Sequence, residues 1–136
     1  MPVDSATADV LTGARDALSR HAWAEAFDLF TRADKENDLS GTDLLGLADA
    51  SWFTAQADHA IETWERAFQV FQSGGDKVSA AAVAFNLQTQ YGYKGQPSIA
   101  AAWFRRGEKL IEGEPQSQPT VTGSSGRRRA RAATAR

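Results

Sequence analysis

His21 and His59 are the only histidines of the 136-residue chain, and any general base or zinc ligand of the usual kind would start from them. They stand 38 residues apart, with no second ligand at a spacing such as His-x3-His, which makes both ordinary surface side chains by expectation. Glu62 with Glu65, and Asp34 with Glu36, have the residue types of a carboxylate pair for acid–base work. Solvation on a helix surface explains them better, and Glu62 with Arg66 is then an i, i+4 ion pair worth roughly a few tenths of a kcal/mol. The Ser73-Gly74-Gly75-Asp76 stretch has neither the Gly-Lys-Ser/Thr ending nor the preceding strand of a phosphate loop. The absence of cysteine removes disulfides, thiolate zinc sites and cysteine nucleophiles together. No acid, base, nucleophile or metal set converges, so no enzyme, metal or cofactor is expected.

The residues that do recur are packing residues. Ala26, Phe30 and Ala33 return as Ala60, Trp64 and Ala67, each displaced by 34 residues, and Ala100, Phe104 and Gly107 repeat the pattern 40 residues later. Small residues let two helices approach, and a bulky aromatic one turn later fills the space beside the contact. A 34-residue period is that of a tetratricopeptide unit, a pair of antiparallel helices.

Apolar periodicity and end signals give six helices. They run from about Ser5 to Arg20, Trp23 to Asn37, Ser40 to Phe53, Asp58 to Ser73, Lys77 to Tyr91, and Pro97 to Glu112. Ser40 and Asp43 have the spacing of a capping box, Gly74-Gly75 suits a helix end, and Pro97 suits a first turn. The fold expected is all-α: a right-handed α-solenoid of about three helix pairs over residues 1–114, followed by a disordered Pro/Gly/Ser/Arg-rich tail over 115–136.

A hydrophobic content of 42% and a charged content of 24% suit one globular helical domain. No run approaches the roughly 18 apolar residues of a membrane span, and Met1-Pro2-Val3-Asp4 has no secretory pattern, so no membrane and a cytoplasmic location are expected. Residues 1–111 hold ten basic and fifteen acidic side chains, a net of −5, whereas the last 25 residues carry +3. Nucleic acid is therefore not expected as a ligand, except weakly through Arg127–Arg131, and that segment reads more simply as a nonfunctional extension.

The stretches Ala14–Phe30, Leu47–Phe53 and Trp103–Gly113 resemble the tetratricopeptide-like region of large bacterial LuxR-type transcriptional regulators. The resemblance implies a protein-interaction or ligand-sensing scaffold joined to a C-terminal helix-turn-helix, and nothing in this chain matches a recognition helix. Two positions depart from the common repeat pattern, Gln88 where a small residue is usual and Gly107 where alanine is usual.

In such repeats the first helix of each pair lines the concave face. Matching positions put Leu11, Arg15 and Leu18, then Leu45, Asp49, Trp52 and Phe53, then Phe85, Thr89 and Tyr93 on or near it. Leu11, Leu18, Leu45 and Phe85 read more simply as core, which leaves Arg15, Asp49, Trp52, Phe53, Thr89 and Tyr93 as the partner-binding candidates. Trp52 and Phe53 point about 100° apart on a helix, so at least one is expected to be exposed. The last helix has no successor, and Trp103, Phe104, Leu110 and Ile111 are expected to form an exposed apolar end that favours self-association. The function expected is a noncatalytic scaffold for a protein or peptide partner in bacterial signalling or transcription regulation. The alternative is a fragment of a LuxR-type regulator that lacks its DNA-binding domain.

Overall fold

Each stripe of small and aromatic residues lies where two helices cross. A computed structural model describes residues 5–112: α1 (Ser5–Ser19), α2 (Trp23–Glu36), α3 (Gly41–Phe53), α4 (Ala57–Ser73), α5 (Lys77–Tyr93) and α6 (Pro97–Ile111). The described residues contain no strand. The expected tail, with Arg127–Arg131, lies outside the described residues.

The helix ends repeat with the period of the core. His21, Ala55 and Gly95 follow α1, α3 and α5 with left-handed φ of 59°, 64° and 74°. The next amide then turns back five residues, from Ala22 to Ala17 O at 2.8 Å, Gln56 to Ser51 O at 2.9 Å and Gln96 to Tyr91 O at 2.9 Å. This double reversal closes the carbonyl end of each helix and starts the return helix at a fixed angle. Of the two glycines expected to end α4, Gly75 takes the left-handed conformation, at φ 82°.

The N-terminus of α3 is half the expected capping box. Ser40 Oγ accepts the Asp43 N–H at 3.1 Å. The Asp43 carboxylate, however, goes to Arg15 of α1, a pairing between helices that no local pattern specifies. α5 starts on Asp76, whose carboxylate accepts the Ser79 N–H at 3.1 Å, and Pro97 opens α6 as expected.

Each helix packs on its predecessor, and α1 also reaches α3. One core forms around Phe30, Leu44 and Leu47, the other around Trp64, Phe68, Leu87 and Trp103, with Leu45 and Phe71 wedged against both. Close helix approach explains two glycines. A Cβ on Gly46 would lie 2.9 Å from the Phe30 ring and 3.0 Å from Leu18, and one on Gly107 would lie 2.6 Å from the Phe85 ring. Phe85 thus accounts for glycine where the repeat pattern usually has alanine.

The aromatic of the repeat shows what each following helix covers. Phe30 and Trp64 are 1% and 7% exposed beneath the next pair, whereas Phe104, with no pair after it among the described residues, is 40% exposed. No described helix is long and apolar enough to cross a membrane.

Candidate interaction groove

The first helices of the three pairs leave two intervals between them, and these differ. Between α1 and α3 a concavity of ≈ 220 Å³ is lined by Leu11, Arg15, Leu39, Ser40 and Asp43 among others. Arg15 crosses it: Nε donates to Asp43 Oδ1 at 2.9 Å and Nη2 to Oδ2 at 2.7 Å, a two-pronged ion pair. That bond raises the already high Arg15 pKa. This interval is closed by the chain's own charges.

Between α3 and α5 no Cα pair comes within 8 Å. A concavity of ≈ 330 Å³ opens there, lined by Leu45, Asp49, Trp64, Ser79, Ala82, Val83 and Asn86. Its walls are mainly apolar, and its one charge is Asp49. That side chain reaches solvent, yet the surrounding protein takes away enough water to push its carboxyl pKa up. Trp52 is partly exposed and tilts against Trp64, ring centroids 6.2 Å apart.

The structure divides the six expected groove residues. Arg15 and Asp49 lie in successive intervals, and Trp52 lies beside the second through Trp64. Phe53 turns back toward α2, where it stacks on Trp23 at 4.4 Å, and Trp23 stacks in turn on His21 at 5.0 Å. Both Trp52 and Phe53 are exposed, so the 100° separation along α3 sends each to a different neighbour. Thr89 and Tyr93 line neither concavity. They follow Phe85 along α5, and Phe85 packs on Phe104 and Gly107 of α6. The α5 residues that do face the groove are Ser79, Ala82, Val83 and Asn86. The sequence held a signal for them: α5 has 17 residues against 13 for α3, an extra turn that displaces a match made from the C-terminal end.

The exposed end is also smaller than expected. Trp103 is buried, its indole covered edge-on by Phe68 at 5.0 Å and by the Arg106 guanidinium at 4.4 Å. Leu110 is half-buried against the second core. Phe104 and Ile111 remain exposed, together with Ile99.

The chemistry-bearing residues are absorbed by the fold. His59 is half-buried rather than a surface side chain, because Phe27 meets it edge-on and Ser51 Oγ lies 2.9 Å from Nδ1. Ser51 is fully buried, its Oγ 2.8 Å from Leu47 O and 2.9 Å from His59 Nδ1, a pair that ties α3 to α4. Neither carboxylate pair converges on a common target: Tyr91 donates to Glu65 at 2.6 Å, and Arg66 forks onto Asp34 at 2.9 Å rather than pairing with Glu62 of its own helix. Among the described residues no group of three or more His, Cys, Asp or Glu could hold a metal ion.

No protein-family model matches the sequence, and no curated protein matches it. The fold is similar to that of the type III secretion chaperone SycD of Yersinia enterocolitica, whose crystal structure is in complex with a peptide of the translocator YopD. The TM-score is 0.65 at 15% sequence identity, over 83% of this chain and 82% of that one. At that identity the likeness concerns the fold, a tetratricopeptide-like α-solenoid of three helix pairs.

Proposed function

We propose that this chain is a noncatalytic scaffold that binds a peptide segment of a partner protein in the concavity between α3 and α5. The observation that carries the reading is an open, mainly apolar groove whose one charge is an unpaired carboxylate, beside an interval that the Arg15–Asp43 ion pair crosses. The likeness to a chaperone crystallised with a peptide supports it. The bacterial signalling or transcriptional setting rests on the three stretches that resemble LuxR-type regulators.

A displayed random-peptide library panned on the immobilised full chain tests the proposal. Ala82 is exposed on the groove wall, so Ala82→Trp fills the space without disturbing the core. Selected peptides are expected to lose at least about 10-fold in affinity for Ala82→Trp, a loss of about 1.4 kcal/mol. A library that yields no binders, or binders indifferent to Ala82→Trp, would overturn it.

Phe104 and Ile111 give the scaffold a second contact surface, and we propose that it pairs two copies. The exposed face of α1 at the opposite end carries Asp9, Thr12, Asp16 and Ser19, a polar surface that caps that end. Stacking of one copy's α6 end on another's α1 would bury those charges, so the pairing that buries apolar surface on both partners is α6 end to α6 end about a two-fold axis. Sedimentation equilibrium is expected to show a concentration-dependent dimer that Phe104→Asp abolishes, and a strictly monomeric wild type would refute it.

A further inference from the structure

The two intervals between first helices are repeats of one another, which permits a comparison inside the molecule. Asp49 stands 34 residues after Arg15, at the same place on the next first helix, just as Leu45 stands 34 after Leu11. Ser79, at the third position of α5, corresponds to Asp43 at the third position of α3. In the first interval, a cation from one helix meets an anion from the next, and the two helices come into contact. In the second, the anion stands on the earlier helix, the corresponding position of the later helix is a serine, and the helices stay apart. Asp49 accepts no hydrogen bond and forms no ion pair among the described residues, whereas Asp43 of the same helix is paired with Arg15.

Resting on the reading of this groove as a peptide site, we infer that the α3–α5 concavity takes a lysine or arginine side chain of a partner polypeptide, with Asp49 as its counter-ion. The geometry supplies the rest of such a site. Leu45, Val83 and the Trp64 ring line it with apolar atoms suited to a long alkyl stem, and Asn86, whose Oδ1 accepts from Gln90 Nε2 at 3.3 Å, is its other polar α5 residue besides Ser79. Trp52, partly exposed, lies beside the concavity with its ring centroid 6.2 Å from that of Trp64. The bound side chain would do for Asp49 what Arg15 does for Asp43. An acidic peptide would be rejected, because its carboxylate would face Asp49 across a groove that holds no base.

The same displayed library, panned in parallel on wild type and on Asp49→Asn, tests the inference. Asp49 is exposed and makes no bond, so the variant keeps the fold. Wild type is expected to select peptides enriched in Lys or Arg at one position, Asp49→Asn is not, and the wild-type peptides are expected to bind the variant about 10-fold or more weakly. Replacing the enriched residue by norleucine should cost as much against wild type and little against Asp49→Asn. Peptides that bind in the groove without basic enrichment would overturn the assignment while leaving the peptide-binding reading intact. No binders at all would overturn both. A final arm distinguishes the source of the cation: a full chain with Arg127, Arg128, Arg129 and Arg131 replaced by glutamine should bind the selected peptides with unchanged affinity. A several-fold gain would instead assign the groove to the chain's own arginines.

Discussion

Replacing Arg15 by methionine isolates what the closed interval contributes. Methionine keeps an unbranched apolar stem and a comparable helix propensity, so the loss is that of the guanidinium. The Asp43 side chain is 7% exposed and would be left without a counter-charge, whereas Arg15 itself is 56% exposed. Breaking a fully buried pair costs about 3–5 kcal/mol. Here the cation is half in water, and the ≈ 220 Å³ concavity admits water to Asp43 once the guanidinium is gone. Solvent screening reduces the loss to about 1–2 kcal/mol. For a domain of this size that is a fall in Tm of roughly 4–15 °C. The measurement is urea denaturation of wild type, Arg15→Met, Asp43→Asn and the double variant, followed by helix circular dichroism. Asp43→Asn keeps the cap on Ser40, which uses the backbone amide, and leaves Arg15 in water, so it should cost less than Arg15→Met. The double variant should resemble Asp43→Asn, with a coupling of about 1 kcal/mol. Single losses below about 0.3 kcal/mol that simply add would show a solvated surface contact and refute the reasoning.

Three further outcomes follow from the same structure. The bond from Tyr91 to Glu65 pushes the phenol pKa up to about 12. In Tyr93→Phe, where Tyr91 is the remaining tyrosine, the phenolate absorbance should rise near that pH, and Glu65→Gln should return the midpoint toward the usual value of about 10. Because the folded pKa is raised, the stabilisation is complete below about pH 10 and is lost as pH rises through about 12, and a midpoint near 10 in the folded protein would contradict the bond. Ala55→Gly relieves a left-handed alanine and should raise stability by about 0.5–1 kcal/mol, read as a higher urea midpoint, and an unchanged or lower midpoint would count against strain there. Desolvation raises the Asp49 pKa, so the folded state disfavours the ionised carboxylate and stability is lost as pH rises through that pKa. Asp49→Asn should therefore melt higher than wild type at pH 7, with the gain vanishing below about pH 4; equal melts at pH 7 would show a fully hydrated carboxylate.

The architecture was legible because its code is local and periodic: alanine, aromatic, alanine at i, i+4, i+7 specifies one helix contact, and the 34-residue displacement repeats it. The third pair blurred because α5 carries an extra turn, which placed Thr89 and Tyr93 on the groove when the α5 side of it is Ser79, Ala82, Val83 and Asn86. Trp103 misled for a different reason. Its shield comes from Phe68, 35 positions earlier, and from Arg106 on its own helix, and apolar character alone does not register a cation stacked on a ring. Arg15 and Asp49 were both legible as groove positions from their common spacing. What spacing could not convey is that one is already paired and the other is not, since that depends on the residue presented by the next helix, Asp43 in one case and Ser79 in the other.

That difference ties stability to binding. A carboxylate at Asp49 without an internal partner is a stability cost the fold could remove with one substitution, and Ser79→Arg is that substitution. Asp76 caps α5 by accepting the Ser79 backbone N–H, so the Ser79 side chain can change without loss of the cap. An arginine there would supply the cation that the second interval lacks, closing it as Arg15 closes the first. The variant should be more stable by about 0.5–1 kcal/mol, the range of a partly exposed ion pair. It should also compete with any cationic peptide for Asp49 and weaken its binding. A variant that gains stability and still binds such peptides as wild type does would separate the two effects and show that Asp49 is not where the peptide's charge is read.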